Sequence, residues 1–158
     1  CCGEVHEGGP SFAYNEPPHT FHIPEEERAS RVQLNSDFCV LDEELFFIRA
    51  VLEVPIRDTE DCFLWGVWVS QSRDSFERYV ETFDQDQTGE GSFGWLTVTL
   101  PGYIGPGEDL LSLPTDVIWG NERPRIRIHD DQDHPLASDQ REGISWDRAV
   151  ELALLLSH

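Results

Sequence analysis

Phe63-Leu64-Trp65-Gly66-Val67-Trp68-Val69-Ser70 is the stretch whose reading decides the fold. Aromatic and β-branched residues run through it without helical spacing, and large groups alternate to both faces. It therefore reads as a strand covered on both sides, central in a sheet. Gly66, next to Trp65 and two before Trp68, marks a place where another backbone or ring comes close. Trp65 and Trp68 could line a ligand pocket, although packing in a core is the commoner use of such rings.

Upstream, Phe38-Cys39-Val40-Leu41 and the run from Leu45 to Ile56 flank Asp42-Glu43-Glu44. That is a hairpin whose second strand is long, apolar on both faces and ended near Pro55. Arg57 to Asp61 is a polar turn into the Trp65 strand. Pro24 to Ser30 reads as a short helix, with proline in its first turn and glutamates at the positive end of its dipole. Gly8 to His22, rich in Gly, Pro and His, reads as an extended connector with turns.

Downstream, Phe76, Tyr79, Val80 and Phe83 at helical spacing predict a helix over 72–83, capped by Ser72 or Asp74. Asp84 to Ser92 is a polar loop, and Phe93 to Leu100 is a fourth strand. Pro101-Gly102 and Gly105-Pro106-Gly107 punctuate a wide turn. Pro114 breaks the next apolar run and leaves Thr115 to Trp119 as a strand. Arg123 to His129 alternates, with Ile126 and Ile128 on one face and Arg125, Arg127 and His129 on the other. His134 to Ser145 reads as a polar loop held between His134-Pro135 and a helix start capped by Ser145. The last helix, Trp146 to Leu156, offers Trp146, Ala149, Val150, Ala153 and Leu154 on one face to pack across the sheet.

The sum is an α+β single domain: a mainly antiparallel sheet of about five or six strands with two or three helices, the C-terminal helix packed on the sheet. Residues 1–22 form an N-terminal Cys/His segment and connector, and residues 23–158 the domain. A chain of 158 residues buries about 70% of the surface it exposes when unfolded, enough for a core without disulfides or metal.

The formal charge is −20, from 31 Asp and Glu against 11 basic residues, all of them arginine. That sign opposes nucleic-acid binding, which depends on neutralising phosphates. It suits a soluble protein, or one that meets a basic protein partner by electrostatic steering. No apolar run approaches the ~20 residues of a membrane span, and no signal-peptide pattern is present. The chain begins at Cys1 with no methionine, so residues ahead of it are expected. Four cysteines in a chain this long point to reduced thiols in a cytoplasmic protein rather than a secreted disulfide framework.

Three groups of residues could carry chemistry. Cys1-Cys2-Gly3 and His6 place thiols near an imidazole, as zinc prefers, with Cys39, His19 and His22 as further ligands. Zinc is the one cofactor the sequence suggests. Arg125, Arg127 and His129 form the only basic stripe and could bind an anionic group, though pairing with the protein's own carboxylates is the plainer use. His134 with Asp139 or Glu142 could orient an imidazole for acid–base work, with Arg141 holding an anion, as in a small hydrolase. No nucleophile motif, phosphate loop or dinucleotide fingerprint accompanies them. The absence of converging motifs favours a non-enzymatic, acidic interaction module over that enzyme.

Several stretches together resemble a bacterial family catalogued as domain of unknown function 2199. They are Cys1-Cys2-Gly3 with His6, Glu25-Glu26-Glu27-Arg28, Ser36-Asp37-Phe38-Cys39, Phe46-Phe47-Ile48-Arg49, Trp65-Gly66-Val67-Trp68-Val69-Ser70, Phe93-Gly94-Trp95-Leu96, Pro101-Gly102-Tyr103, and His134-Pro135-Leu136-Ala137 through Asp139 to Ile144. The resemblance implies no activity. It does imply a further cysteine ahead of Cys1, which would make Cys1 or Cys2 one of a knuckle pair. If that knuckle forms, metal analysis of the full-length protein, with the residues ahead of Cys1, returns about one zinc per chain; a metal-free protein removes it.

Overall fold

The computed structural model describes residues 11–21, 23–98, 100, 102–103, 111–129 and 131–156. Its spine is the antiparallel pair of Leu45–Pro55 (β4) and Cys62–Gln71 (β5), in register from Phe46↔Gln71 to Pro55↔Cys62. Because side chains alternate, one face of this pair carries Ile48, Ala50, Leu52 and Val54 opposite Val69, Val67, Trp65 and Phe63. All eight are at most 1% exposed. The Trp65 stretch is central, as its composition predicts.

Gly91–Val98 (β6), Leu111–Ile118 (β7) and Arg125–Ile128 (β8) follow as antiparallel neighbours, and β8 then returns to β4 in parallel at Val51↔Arg125 and Leu52↔Ile126. Strands β4 to β8 thus close into a five-stranded barrel. Three more strands extend it. Phe38–Leu41 (β3) pairs antiparallel with β4, Val32–Leu34 (β2) with β3, and Ser11–Ala13 (β1) lies parallel to β5. Four α-helices accompany them among the described residues: Glu25–Arg31 (α1), Arg73–Glu81 (α2), Pro135–Glu142 (α3) and Trp146–Leu156 (α4). No helix among the described residues is long and apolar enough to cross a membrane.

This corrects the expectation of an open, mainly antiparallel sheet of five or six strands with two or three helices. The sheet rolls shut because the edges of β4 and β5 are each divided between two neighbours. Along one edge of β4, β3 occupies the first half and β8 meets the middle; along one edge of β5, β1 takes Leu64 to Gly66 and β6 takes Val69. Both closing seams are short and completed by side chains. At the β5–β6 seam, Val69 faces Leu96, Ser70 Oγ accepts from the Trp95 amide at 3.1 Å, and Gln71 donates to the Phe93 carbonyl at 3.2 Å. Gly94 makes that approach feasible, since a Cβ there would lie 2.6 Å from the Ser70 carbonyl oxygen.

At the β4–β8 seam, the Val51 amide donates to the Pro124 carbonyl at 2.8 Å. Past Ile126 the two strands part, and α3 occupies the opening. Its Gln140 accepts from the Ile128 amide and donates to the Ile126 carbonyl, both at 2.8 Å, doing for β8 what a neighbouring strand would do.

Other local expectations meet the structure in detail. The β3–β4 hairpin turns at Asp42 and Glu43, both at positive φ (53° and 59°). Ser72 caps α2 by accepting from the Ser75 amide at 3.1 Å, and α2 buries Tyr79 against Trp119. The backbone that comes close to Gly66 is β1: a Cβ on Gly66 would sit 2.8 Å from Ala13 Cβ, and the Tyr14 amide donates to the Gly66 carbonyl at 2.9 Å. Part of the Gly8–His22 connector is therefore a strand. β7 runs through Pro114 rather than starting after it.

The expected polar loop from His134 to Ser145 is mostly helix α3, ended by Gly143 at φ 83°, where Ile144 bridges to Ile56. Ser145 caps α4 as read, accepting from the Arg148 amide at 3.0 Å. The docking face of α4 differs from the expected one. Ala149 and Leu152 are buried, in one core with Leu100 and Tyr103, whereas Trp146 and Leu154 are 55% and 58% exposed. Arg148 fixes this rotation by donating to the Gly102 carbonyl at 2.8 Å.

Gly66→Ala should cost about 1–3 kcal/mol by forcing β1 away, seen as a lower urea midpoint and faster exchange of the Tyr14 amide. Adding Ala13→Gly should recover most of the loss; no recovery would mean that the contact with β1 is not the cause. Gln140→Leu leaves an amide and a carbonyl of β8 unpaired and should cost about 2–4 kcal/mol in the same assay.

Candidate binding surface

Strand alternation sends Leu96, Leu113, Thr115, Val117, Ile126 and Ile128 into the barrel. The same alternation must turn Phe93, Trp95, Asp116, Arg127 and the following His129 outward. Phe93 and Trp95 are 47% and 46% exposed, and their rings meet edge to face with centroids 5.7 Å apart. His129 lies against Phe93 at 5.6 Å, and its Nε2 is 3.0 Å from Asp116 Oδ1. Asp116 stands opposite Phe93 on one side and Arg127 on the other. Large aromatics are thus set in water on a rigid sheet, with charge on their flank.

Beyond Trp95 the surface dips into a groove of about 400 Å³. Its far wall is Phe47, on which the His19 ring packs at 4.9 Å, and Glu44 and Leu45 close one end. Burial against Phe47 holds the His19 pKa below the ordinary histidine value.

The basic stripe read from the sequence is present but divided. Arg125 forms an ion pair with Glu53 at 2.6 Å, and His129 pairs with Asp116. Arg127, which is exposed, lines a shallow depression together with His129, Asp116 and Asp131. Pairing with internal carboxylates, the plainer of the two readings, describes Arg125 and His129.

Of the residues considered for acid–base work, His134 and Asp139 are each engaged in the fold. His134 is the N-cap of α3, its Nδ1 accepting from the Leu136 amide at 3.0 Å. Asp139 accepts from the Tyr103 hydroxyl at 2.7 Å. Burial, and after it this hydrogen bond to the carboxylate, raises the Tyr103 pKa. Arg141 follows two positions on, roughly 200° around the helix, and it and Glu142 are exposed. Asp139 therefore ties α3 to the Tyr103 turn.

Of the metal candidates, Cys1, Cys2, His6 and His22 lie outside the described residues. Cys39 is fully buried beside Leu41, Phe47 and Trp68, and burial pushes its thiol up to about 11. Cys62 is disulfide-bonded, against the expectation of four reduced thiols. Among the described residues no group of three or more His, Cys, Asp or Glu is arranged to hold a metal ion.

The sequence reading placed Phe93 and Trp95 in a strand without assigning them a role. The available signal was aromatic residues at i and i+2 with Ser92, Gly94 and Leu96 between and beside them, which sends the large rings to one face.

The chain belongs to a family described as an uncharacterised protein conserved in bacteria (DUF2199), whose model matches residues 1–144. The whole of α4 lies beyond the matched region. No curated protein matches the chain, and no solved structure does.

Because burial lowers the His19 pKa, the folded chain takes up this proton less readily than the unfolded one. The contribution is complete above the ordinary value of 6.5 and is lost as pH falls through and below it. Urea midpoints at about pH 7.5 and 5.5 should show wild type losing more stability on acidification than His19→Gln. Equal losses would contradict it.

Proposed function

We propose that this chain is a protein-binding module that receives a basic partner on the outer face of β6, β7 and β8. The observation that carries the reading is the exposed Phe93–Trp95 pair. Two large rings held in water by a barrel wall lose little entropy when a partner covers them, and such rings dominate binding energy where they occur at interfaces. Glu44, Asp116 and Asp131 flank them, and a net charge of −20 would speed encounter with a basic surface. The aromatics supply affinity in this reading, and the carboxylates supply rate and choice of partner.

The test needs a purified basic protein recovered with wild type at low salt and then reconstituted. Trp95→Ala should weaken its affinity at least ~30-fold, the ~2 kcal/mol of an interface hot spot. Association should slow steeply as salt rises from about 50 to 500 mM. An affinity unchanged by Trp95→Ala and Phe93→Ala would refute the proposed face.

A further inference from the structure

A second concavity, of about 230 Å³, lies apart from the aromatic face, between the end of α2 and the turn that leads into β8. The barrel seam builds it. The Val51–Pro124 bond that closes the barrel carries Arg123 alongside β4, while the Arg49 amide donates to the Asp37 carbonyl at 3.0 Å and so brings the turn before β3 to the same spot. Arg123 then meets Asp37 at 3.4 Å through a single Nη2 contact. Tyr79 and Gln87 line the cleft from below, Phe83 supplies an apolar wall, and Gln85 and Glu122 stand at its sides. Gln87 is fixed by donating to the Tyr79 carbonyl at 3.0 Å and to Thr82 Oγ1 at 2.8 Å. Asn121 is held by the carboxylate of Asp86.

The cleft has more hydrogen-bonding capacity than its own contacts use. Tyr79 is 2% exposed and lines the cleft, and its hydroxyl has no hydrogen-bond partner among the described residues. Burial, reinforced by the Asp37 carboxylate, pushes its pKa up to about 12, so it stays a donor at neutral pH. Of the five N–H donors of a guanidinium, Arg123 engages one. Glu122 has no ion pair among the described residues.

We propose that this cleft binds a small zwitterion of the α-amino-acid class. Its carboxylate would take the remaining fork of Arg123 and the Tyr79 hydroxyl, and its ammonium would sit between Asp37 and Glu122. Phe83, 42% exposed, would cover an apolar side chain. The lining decides between charge types. A simple anion would meet two carboxylates in a chain of charge −20, and a simple cation would meet Arg123 with Arg49 close by. Only a ligand carrying both signs finds a partner for each. The volume is below the ~300–1,000 Å³ of drug-sized sites, which limits the ligand to metabolite size.

The probe is L-leucine, titrated calorimetrically into the full chain, with leucinamide and isocaproate as analogues that each keep one charge. Saturable millimolar binding of leucine is expected, at least ~10-fold weaker for either analogue and for Arg123→Gln or Glu122→Gln, the loss of one charge-assisted bond. Both substituted residues are exposed, so these variants should fold. Tyr79→Phe keeps the ring packing and should weaken binding about 3-fold. Trp95→Ala should leave leucine binding unchanged, which separates this site from the aromatic face. No saturable heat up to about 20 mM leucine, isocaproate binding as tightly as leucine, or an affinity indifferent to Arg123→Gln would overturn the proposal.

Discussion

Two long strands whose edges must each serve two neighbours set the shape of everything else. Among the described residues the β4–β5 pair carries the longest ladder of this sheet, from Phe46↔Gln71 to Pro55↔Cys62. Its free edges are too long for one short neighbour and are filled piecewise, by β3 and β8 on one side and β1 and β6 on the other. A right-handed twist accumulated across five strands then carries β8 around to the far edge of β4. Among the described strands, closure leaves only the short β1 and β2 as outer edges of the sheet, and short edges offer little to aggregation. Its seams are narrow, so Ser70, Gln71 and Gln140 supply hydrogen bonds where backbone ladders end.

That closure also decides which surfaces remain for function. Inward positions are taken by the core, from Trp65 and Leu52 to Ile126 and Val117. Segments outside the barrel cover part of its wall: β1 and the chain up to α1 shelter Trp68, whose indole donates to the Tyr14 carbonyl at 2.9 Å. α3 fills the β4–β8 gap, which turns the polar His134–Glu142 segment to structural use. The outer face of β6 keeps its two aromatic rings in water, and the turn entering β8 keeps Arg123 beside a cleft. Both features follow from strand register.

What could be read from the sequence was what depends on near neighbours along the chain. The Asp42–Glu44 hairpin, the Ser72 cap, the Ser145 cap and the burial of the Trp65 strand all follow from local pattern. Gly66 could be read as a close approach, although the strand that approaches, Ser11–Ala13, is too short to carry a periodic signal. Closure was not legible, because two register pairs between β4 and β8 leave no trace in alternation. α3 was missed for a related reason: its cap is a histidine and its sequence is polar, so nothing marked a core-facing stripe. In α4 the apolar residues run nearly all round, and the buried arc is chosen by the Arg148–Gly102 contact rather than by composition. The alternating Arg125–Arg127–His129 stripe was visible, but not the partners that engage it. The cleft residues, drawn from positions 37 to 123, share no local pattern at all.

Hydrogen exchange at the Val51 amide tests the closed barrel most directly. In the barrel that amide is bonded to the Pro124 carbonyl at 2.8 Å, so it should exchange only through global unfolding, as slowly as the amides paired between β4 and β5. An amide exchanging near the rate of an unstructured peptide would mean that β8 does not reach β4, and that the sheet is open.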